Sequence, residues 1–254
     1  QDVGARYYTF IWTLYLCMKA CGKLGIPVVV LDRPNPISDA VEGPVLDLEY
    51  SSFVGLHSLP IRHGKTIGEL ARIFRDECFP GCQLHVMEMD GYRKGMWFDE
   101  TGLPWVMPSP NMPTLDTAVV YPGMCLFEAT NVSEGRGTTR PFEIFGAPFI
   151  DAPGLCKYMN GLKLPGVYFR ENYFQPTFHK GAGQICGGAQ IHVLDRNTFR
   201  SFEMAVQLLK YLWNRYPEDF AWKNPPYEYE YRKLPIDILL GNGTFRKEHI
   251  EVSL

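Results

Sequence analysis

The sequence predicts an α/β protein, in which a part built on a parallel sheet is followed by a smaller α+β part. The first observation is a helical pattern over residues 7–21, followed by the apolar run Ile26–Leu31 and a polar loop. This order is half of a doubly wound α/β unit. The second is a change after residue 140, where short apolar segments alternate with Pro and Gly. We expect the two parts to divide near residues 112–130.

The first helix and the first strand have clear local signals. The helix has a broad apolar surface and should stop at Gly22 and Gly25. The run Ile26–Leu31 is wholly apolar and rich in β-branched residues. Such a run is typical of a strand buried on both faces of a parallel sheet.

The later elements are predicted from caps and spacing. Thr66 and Glu69 have the spacing of a capping box, which predicts a helix start. Periodicity then predicts a helix over residues 67–78, a strand over Leu84–Met89, a helix over 115–127 with a break at Pro122, a helix over 198–214 and a strand over Tyr227–Tyr231. Between residues 142 and 194 the pattern gives only short apolar segments, at 142–149, 166–169 and 190–194.

The bulk composition excludes several classes of protein. The chain has 254 residues, of which 46% are hydrophobic and 21% charged, and its net charge is −3. This composition is that of a globular protein, and without a basic patch we expect no nucleic-acid partner. Seven cysteines cannot all pair within one chain, and their spacing does not suit zinc. We also expect no cofactor, no metal and no membrane span in these residues.

Two polar loops are candidates for function. The segment Pro108–Thr114 contains three prolines, and Asn131–Arg140 combines charged side chains with two glycines. Polar loops between apolar segments often bind or catalyse, although they can also be solvated connections. Asp32, Arg33 and Asn35 follow the first strand, where ligands of open α/β sheets bind. Asx turns in a proline-rich loop would give the same pattern.

Carboxylates near arginines suggest one kind of chemistry. Glu128, Glu134 and Glu143 lie close in sequence, and Asp32 ends a strand. Two carboxylates across a sugar ring can hydrolyse a glycoside. Structural ion pairs with neighbouring arginines would look the same in sequence.

Eight blocks of sequence occur in order along the chain: Gln1–Thr9, Leu31–Pro36, Arg62–Gly64, Thr101–Val106, Pro108–Pro113, Glu128–Asn131, Ser133–Phe142 and Gly146–Pro148. Together they resemble the exo-acting β-N-acetylmuramidases, once classed as a domain of unknown function. The resemblance implies a Rossmann-like domain over residues 1–115 and a smaller domain over residues 116–254 that closes a cleft. It implies release of N-acetylmuramic acid from the non-reducing ends of peptidoglycan fragments, without a cofactor, by a periplasmic or secreted protein, in some cases a lipoprotein. Family proteins begin considerably earlier, and a Pro-Glu-His-Gly stretch there carries the favoured acid/base.

The resemblance and the residue chemistry together give a set of candidate site residues. A muramic residue carries a lactyl carboxylate, which an arginine fork would bind; amides would bind the acetamido and hydroxyl groups, and aromatic rings the sugar face. The candidate catalytic residues are Glu134, Asp32 and Glu128. The candidate substrate-binding residues are Asp2, Arg6, Tyr8, Arg33, Asn35, Arg62, His63, Trp105, Asn111, Asn131 and Arg136.

Three further expectations follow. Asp32, Asn111 and Glu134 should converge at one cleft. Arg136, flanked by Gly135 and Gly137, should bind the substrate carboxylate or orient Glu134. The alternative for Arg136 is a structural pair with a buried acid. For the protein, the alternatives are an inactive muropeptide-binding module and an unrelated α/β enzyme.

Overall fold

The computed structural model describes residues 2–254. Its helices are α1 (Phe10–Leu24), α2 (Ile67–Cys78), α3 (Leu115–Met124), α4 (Ala152–Gly161), α5 (Ser201–Arg215), α6 (Pro235–Leu240) and α7 (Phe245–His249). Its strands are β1 (Val28–Leu31), β2 (Glu42–Val45), β3 (Pro60–Arg62), β4 (Leu84–Met87), β5 (Ile144–Ala147), β6 (Val167–Phe174) and β7 (Cys186–Val193). Within this part of the chain, no helix has the length and apolar character needed to cross a membrane.

The N-terminal part contains the predicted parallel strand pair. β1 pairs with β4 in register, with Val28 opposite Leu84. α1 and α2 cover one face of the pair, where Val30 packs in one cluster with Trp12 and Phe74. The strand prediction is confirmed, which supports the α/β fold class.

The predicted burial of β1 on both faces is wrong. Val29 is 59% exposed and Leu31 is 70% exposed. Side chains alternate across a strand, and the two helices cover only the face that holds Val30. Among residues 2–254, nothing covers the other face to the same extent.

The C-terminal part is built on an antiparallel sheet. β5, β7 and β6 lie in that order, with β7 in the middle. α5 presents the predicted apolar face to the core, with Leu208, Leu209 and Leu212 fully buried. Residues 227–231 do not form the predicted strand: Tyr227 and Glu230 bridge across a tight turn instead.

Side chains of the two parts pack against each other across the boundary between them. α3 begins at Leu115, where the Thr114 hydroxyl accepts a hydrogen bond from the Thr117 backbone N–H. Pro122 does not break α3, which runs on to Met124 and continues as a 3₁₀ helix over Cys125–Ala129. The largest hydrophobic cluster joins side chains from both parts, including Tyr7. The division at 115/116 stays a prediction.

Candidate active site

A pocket of about 280 Å³ lies where the two parts of the chain meet. Its wall comes from the segment before α1, the proline loop, α3 with its 3₁₀ extension, the glycine-flanked arginine and the turn at residues 227–228. The lining residues are Tyr7, Tyr8, Thr9, Phe10, Phe53, Val54, Pro108, Ser109, Tyr121, Cys125, Glu128, Arg136, Tyr227 and Glu228. Both polar loops singled out in the sequence therefore contribute to one pocket.

Arg136 joins two carboxylates at this pocket. Its Nη2 lies 2.5 Å from Glu128 Oε1, and its Nε lies 3.2 Å from Glu134 Oε1. The guanidinium also lies over the Phe142 ring, 5.1 Å from its centroid. These charges raise the pKa of Arg136 against the opposing effect of burial. Arg136 stays charged and holds both carboxylates in fixed positions.

The glycines beside Arg136 are required by the backbone. Gly135 has φ +79° and Gly137 has φ +82°, in the left-handed region. A Cβ on Gly135 would lie 2.3 Å from the carbonyl oxygen of Ile144. The loop therefore packs against β5 only with glycine at this position, and that packing aims Arg136 at the pocket.

Glu134 lies behind Arg136 and is anchored by a lysine that the sequence did not reveal. The carboxylate is 2% exposed, and its Oε2 lies 2.6 Å from Lys180 Nζ. The same ammonium donates hydrogen bonds to the carbonyl oxygens of Phe127, Thr130 and Val132. Lys180 comes from the loop between β6 and β7, and no local pattern marks it. Its contacts join the loop between β6 and β7 to the polar loop around Glu134.

Glu128 is the carboxylate that Arg136 presents to the pocket. Its Oε2 accepts a hydrogen bond of 2.9 Å from the Tyr227 hydroxyl, and its Oε1 faces Arg136. Burial, and then the charge of Glu128, raises the pKa of Tyr227 well above its ordinary value. The tyrosine therefore remains a hydrogen-bond donor to Glu128.

A second carboxyl group of the pocket wall was missed. Glu228 lines the pocket, and burial, followed by the charge of Glu128, raises its pKa. A carboxyl group with a raised pKa beside a second carboxyl group is a pattern that recurs in hydrolases, where one group acts as the acid. The sequence signal, an acid within an aromatic run, instead suggested a strand.

Tyr8 forms part of the aromatic wall of the pocket, and its role in stacking on a sugar stays a prediction. Its ring meets Tyr121 edge to face with centroids 5.8 Å apart. Burial raises the pKa of Tyr8, and the negative charge of Asp2 adds to this, while a hydrogen bond to Ser109 opposes it. Asp2 is 6% exposed; its Oδ2 accepts from the Gly4 N–H and lies 3.4 Å from His63 Nε2. Gln1, expected beside Asp2, lies outside the described residues.

Asp32 does not belong to this site. Its Oδ1 accepts a hydrogen bond of 2.7 Å from the Gly68 N–H, and its Oδ2 accepts one of 2.9 Å from the Thr66 hydroxyl. Asp32 therefore supports the start of α2. The catalytic assignment is corrected: a carboxylate after a strand can complete the cap of the next helix. The contacts of Asp32 and Glu134 share no residue, so the predicted convergence fails at Asp32.

Two of the predicted substrate-binding arginines have structural roles. Arg6 is 1% exposed and donates to the carbonyl oxygens of Pro44, Leu59 and Leu239. Burial lowers its pKa to about 10. Arg62 is also buried, pairing with Glu42 and donating to the Ile37 carbonyl oxygen. Both guanidiniums are buried, and neither lines the pocket.

Two amides are likewise used by the backbone. Asn35 donates to the Lys65 carbonyl oxygen and accepts from the Ile37 N–H. Asn131 is exposed, donates to the Asp219 carbonyl oxygen and accepts from the Ala221 N–H. Both amide side chains therefore hold backbone segments in place, and their assignment as substrate-binding residues is corrected.

Three further candidates do not line the pocket. Trp105 is half-buried and donates to the Met112 carbonyl oxygen. Asn111 is half-buried in the proline loop, two residues after Ser109. Arg33 is exposed and lines a second pocket of about 260 Å³ with Tyr92. The proline loop lines the first pocket, through Pro108 and Ser109, and contributes no residue to the second.

The fold and the pocket define a two-part α/β protein with carboxylates gathered around an arginine. The chain belongs to the family of the exo-β-N-acetylmuramidase NamZ: the model of that family's N-terminal domain matches residues 1–116, and that of its C-terminal domain matches residues 119–252.

Relatives and solved structures agree with this assignment. The chain is 47% identical over 247 residues to the peptidoglycan β-N-acetylmuramidase NamZ of Bacillus subtilis, covering 97% of this chain and 58% of that protein. It is similar to two crystal structures of DUF1343 family proteins from Bacteroides fragilis. One has a TM-score of 0.89 and 30% identity, covering 99% of this chain and 66% of the other. The second has a TM-score of 0.72 and 29% identity, covering 99% and 65%.

Proposed function

We propose that the whole protein is an exo-β-N-acetylmuramidase that removes N-acetylmuramic acid from the non-reducing ends of peptidoglycan fragments. The observation that carries this proposal is the position of Arg136 in the pocket wall beside Glu128. The family membership and the name of the Bacillus subtilis relative support the same substrate class.

Arg136 is suited to recognise the lactyl carboxylate. Its contacts with carboxylates of residues 2–254 use Nε and Nη2, so Nη1 is the nitrogen available to a ligand. Glu128 and Glu134 are balanced by Arg136 and Lys180, so a substrate anion would enter a cluster of no net charge. A hydrogen bond between charged groups contributes about 1.5–3 kcal/mol, or roughly 10- to 150-fold in preference for a muraminide over a glucosaminide.

The two carboxyl groups of the pocket suit the two roles that glycoside hydrolysis requires. One stabilises the positive charge on the sugar, and the other supplies a proton to the leaving oxygen. Glu128, which contacts Tyr227 and Arg136, would stabilise positive charge that develops on the sugar ring. Glu228, with its raised pKa, is suited to hold a proton for the leaving oxygen. Tyr8 and Tyr121 would contact the sugar face.

The test compares two chromogenic substrates, a β-N-acetylmuraminide and the matching β-N-acetylglucosaminide, with the whole protein. We expect release of chromophore from the muraminide alone and loss of that activity in Glu128→Gln. Equal turnover of the two substrates would contradict the proposal. Binding of N-acetylmuramic acid in calorimetry without turnover of either substrate would instead identify a binding module.

The proposed substrate also implies a location outside the cytoplasm, periplasmic or secreted, where mature peptidoglycan lies. Cell fractionation with an antibody to the protein tests this. Detection confined to the cytoplasmic fraction would contradict it.

A further inference from the structure

A second cluster of reactive side chains lies at the C-terminal end of α2. Cys78 is the last residue of α2, and its Sγ lies 3.6 Å from His57 Nδ1. On the other side of the imidazole, His57 Nε2 lies 3.1 Å from Glu77 Oε2. With the ring hydrogen on Nε2 facing Glu77, Nδ1 is the acceptor that faces the thiol. A thiol, an imidazole and a carboxylate thus stand in the order that activates cysteine nucleophiles.

The imidazole is fixed in this orientation. Its ring packs edge to face on Phe74, with centroids 5.7 Å apart, and its side chain is 15% exposed. The thiol has a second neighbour in Tyr15, whose pKa is raised by burial and by its hydrogen bond to Cys78. Cys78 therefore lies against a positioned base rather than on an open surface.

An open pocket of about 360 Å³ borders the thiol. Its wall includes Phe79, an apolar surface, together with Lys19 and Lys23 at exposed positions of α1. No ion pair within residues 2–254 involves either lysine. Cys82 also lines the pocket, but it is buried, and burial and the proximity of Cys21 raise its pKa, which favours its unreactive thiol form. The pocket suits a small molecule that carries negative charge.

We propose that Cys78 is a thiolation site, at which the His57–Glu77 pair promotes exchange with an anionic low-molecular-weight disulfide held by Lys19 and Lys23. His57 Nδ1 takes the proton from Cys78, and the thiolate attacks one sulfur of the disulfide. The sulfur–sulfur bond of that molecule breaks as a mixed disulfide forms on Cys78, and the released thiolate takes the proton back from the imidazolium. The protein thiol is oxidised and half of the small disulfide is reduced.

The test measures the rate of mixed-disulfide formation at each cysteine, by peptide mass spectrometry of the native whole protein with oxidised glutathione. Cys17, which is exposed, is the internal control. We expect Cys78 to react faster than Cys17. His57→Gln should lower the Cys78 rate at least about tenfold and leave the Cys17 rate unchanged. A Cys78 rate no higher than that of Cys17 would overturn the proposal.

Glu77→Gln keeps the test decisive if His57→Gln does not fold, because the Glu77 side chain is 60% exposed. It should slow Cys78 alone, and an unchanged rate in a folded Glu77→Gln protein would show that no activating pair exists. The double variant Lys19→Gln, Lys23→Gln tests the effect of the two lysine charges separately from the reactivity of the Cys78 thiol. It should slow the reaction with oxidised glutathione but not that with cystamine, a cationic disulfide. Equal effects on the two reagents would overturn the assignment of an anionic partner.

Discussion

At the scale of single residues, the site depends on the guanidinium of Arg136, which pairs with two carboxylates. Arg136 contacts Glu128 and Glu134 through different nitrogens. The sequence suggested Arg136 because glycines flank it, and in the structure the arginine pairs with Glu128 and Glu134 and also lines the pocket. Its binding of the substrate carboxylate stays a prediction. A planar fork can do both, whereas a point charge cannot.

Arg136→Lys should lower kcat/KM by about 1–3 kcal/mol equivalent, because lysine keeps the charge and loses the fork. Steady-state kinetics on the muraminide measure this. Arg140→Lys is the matched control in the same loop, since Arg140 is half exposed and pairs with Glu143 away from the pocket wall. A large loss of thermal stability with intact specific activity in Arg136→Lys would show that the arginine is structural only.

Glu228 gives a prediction for pH dependence. Its raised pKa means that it keeps its proton to higher pH than an ordinary glutamate, and activity that needs this proton should fall as pH rises through that pKa. Glu228→Gln should lower kcat and remove this decline on the alkaline side. The measurement is a kcat–pH profile, with the exposed Glu218→Gln as control. An unaltered profile in Glu228→Gln would assign the proton to another group.

At the scale of elements, helix starts explain the principal correction among the candidate residues. The Thr66–Glu69 capping box forms as predicted, with the Thr66 hydroxyl accepting from the Glu69 N–H at 3.1 Å. Asp32 adds further acceptors at the same helix end. Carboxylates there also interact favourably with the helix dipole. A polar residue after a strand can thus serve the next helix instead of a ligand.

Asp32→Ala should therefore reduce stability by about 0.5–2 kcal/mol, the range for loss of a helix cap, and leave kcat/KM within about twofold. Urea unfolding and steady-state kinetics test the two parts separately. Asp76→Ala, an exposed acid on α2 that pairs only with its neighbour Arg75, should change neither quantity. A hundredfold loss of activity without loss of stability would restore the first interpretation of Asp32.

At the scale of the whole molecule, buried polar side chains connect distant segments. Arg6 links β2, the residue before β3 and α6 through three carbonyl oxygens. Glu42 does the same between β3 and the start of α5, where its Oε2 accepts from the Phe202 N–H at 3.1 Å. The two parts of the chain therefore share polar contacts as well as a hydrophobic cluster.

Arg6→Met should lower the free energy of unfolding by at least about 2 kcal/mol, because it removes three hydrogen bonds of a guanidinium to carbonyl oxygens, two of them buried. The denaturation midpoint in urea reports this, provided that the m-value is unchanged. Arg33→Met, at an exposed arginine in another family block, is the control and should have little effect on stability. Wild-type stability in Arg6→Met would contradict the structural role.

The sequence by itself determined the elements whose signals are local. The periodicity of α1, α2 and α5, the capping box at Thr66 and the β1 run depend on neighbours a few residues apart, and all of these appear in the structure. The order of the motif blocks also fixed the family. The polar loops were recognisable because loops with this chemistry differ from the apolar segments around them.

Only the tertiary structure decided which polar side chains face a ligand. Arg6, Arg62 and Asn35 look like binding residues in sequence, yet each is used by carbonyl groups or acids far along the chain. Lys180 lies in a loop that no local sequence pattern marks, yet its ammonium group pairs with the carboxylate of Glu134. A buried donor must find an acceptor wherever the fold brings one, and such partners are separated by tens to hundreds of residues in sequence.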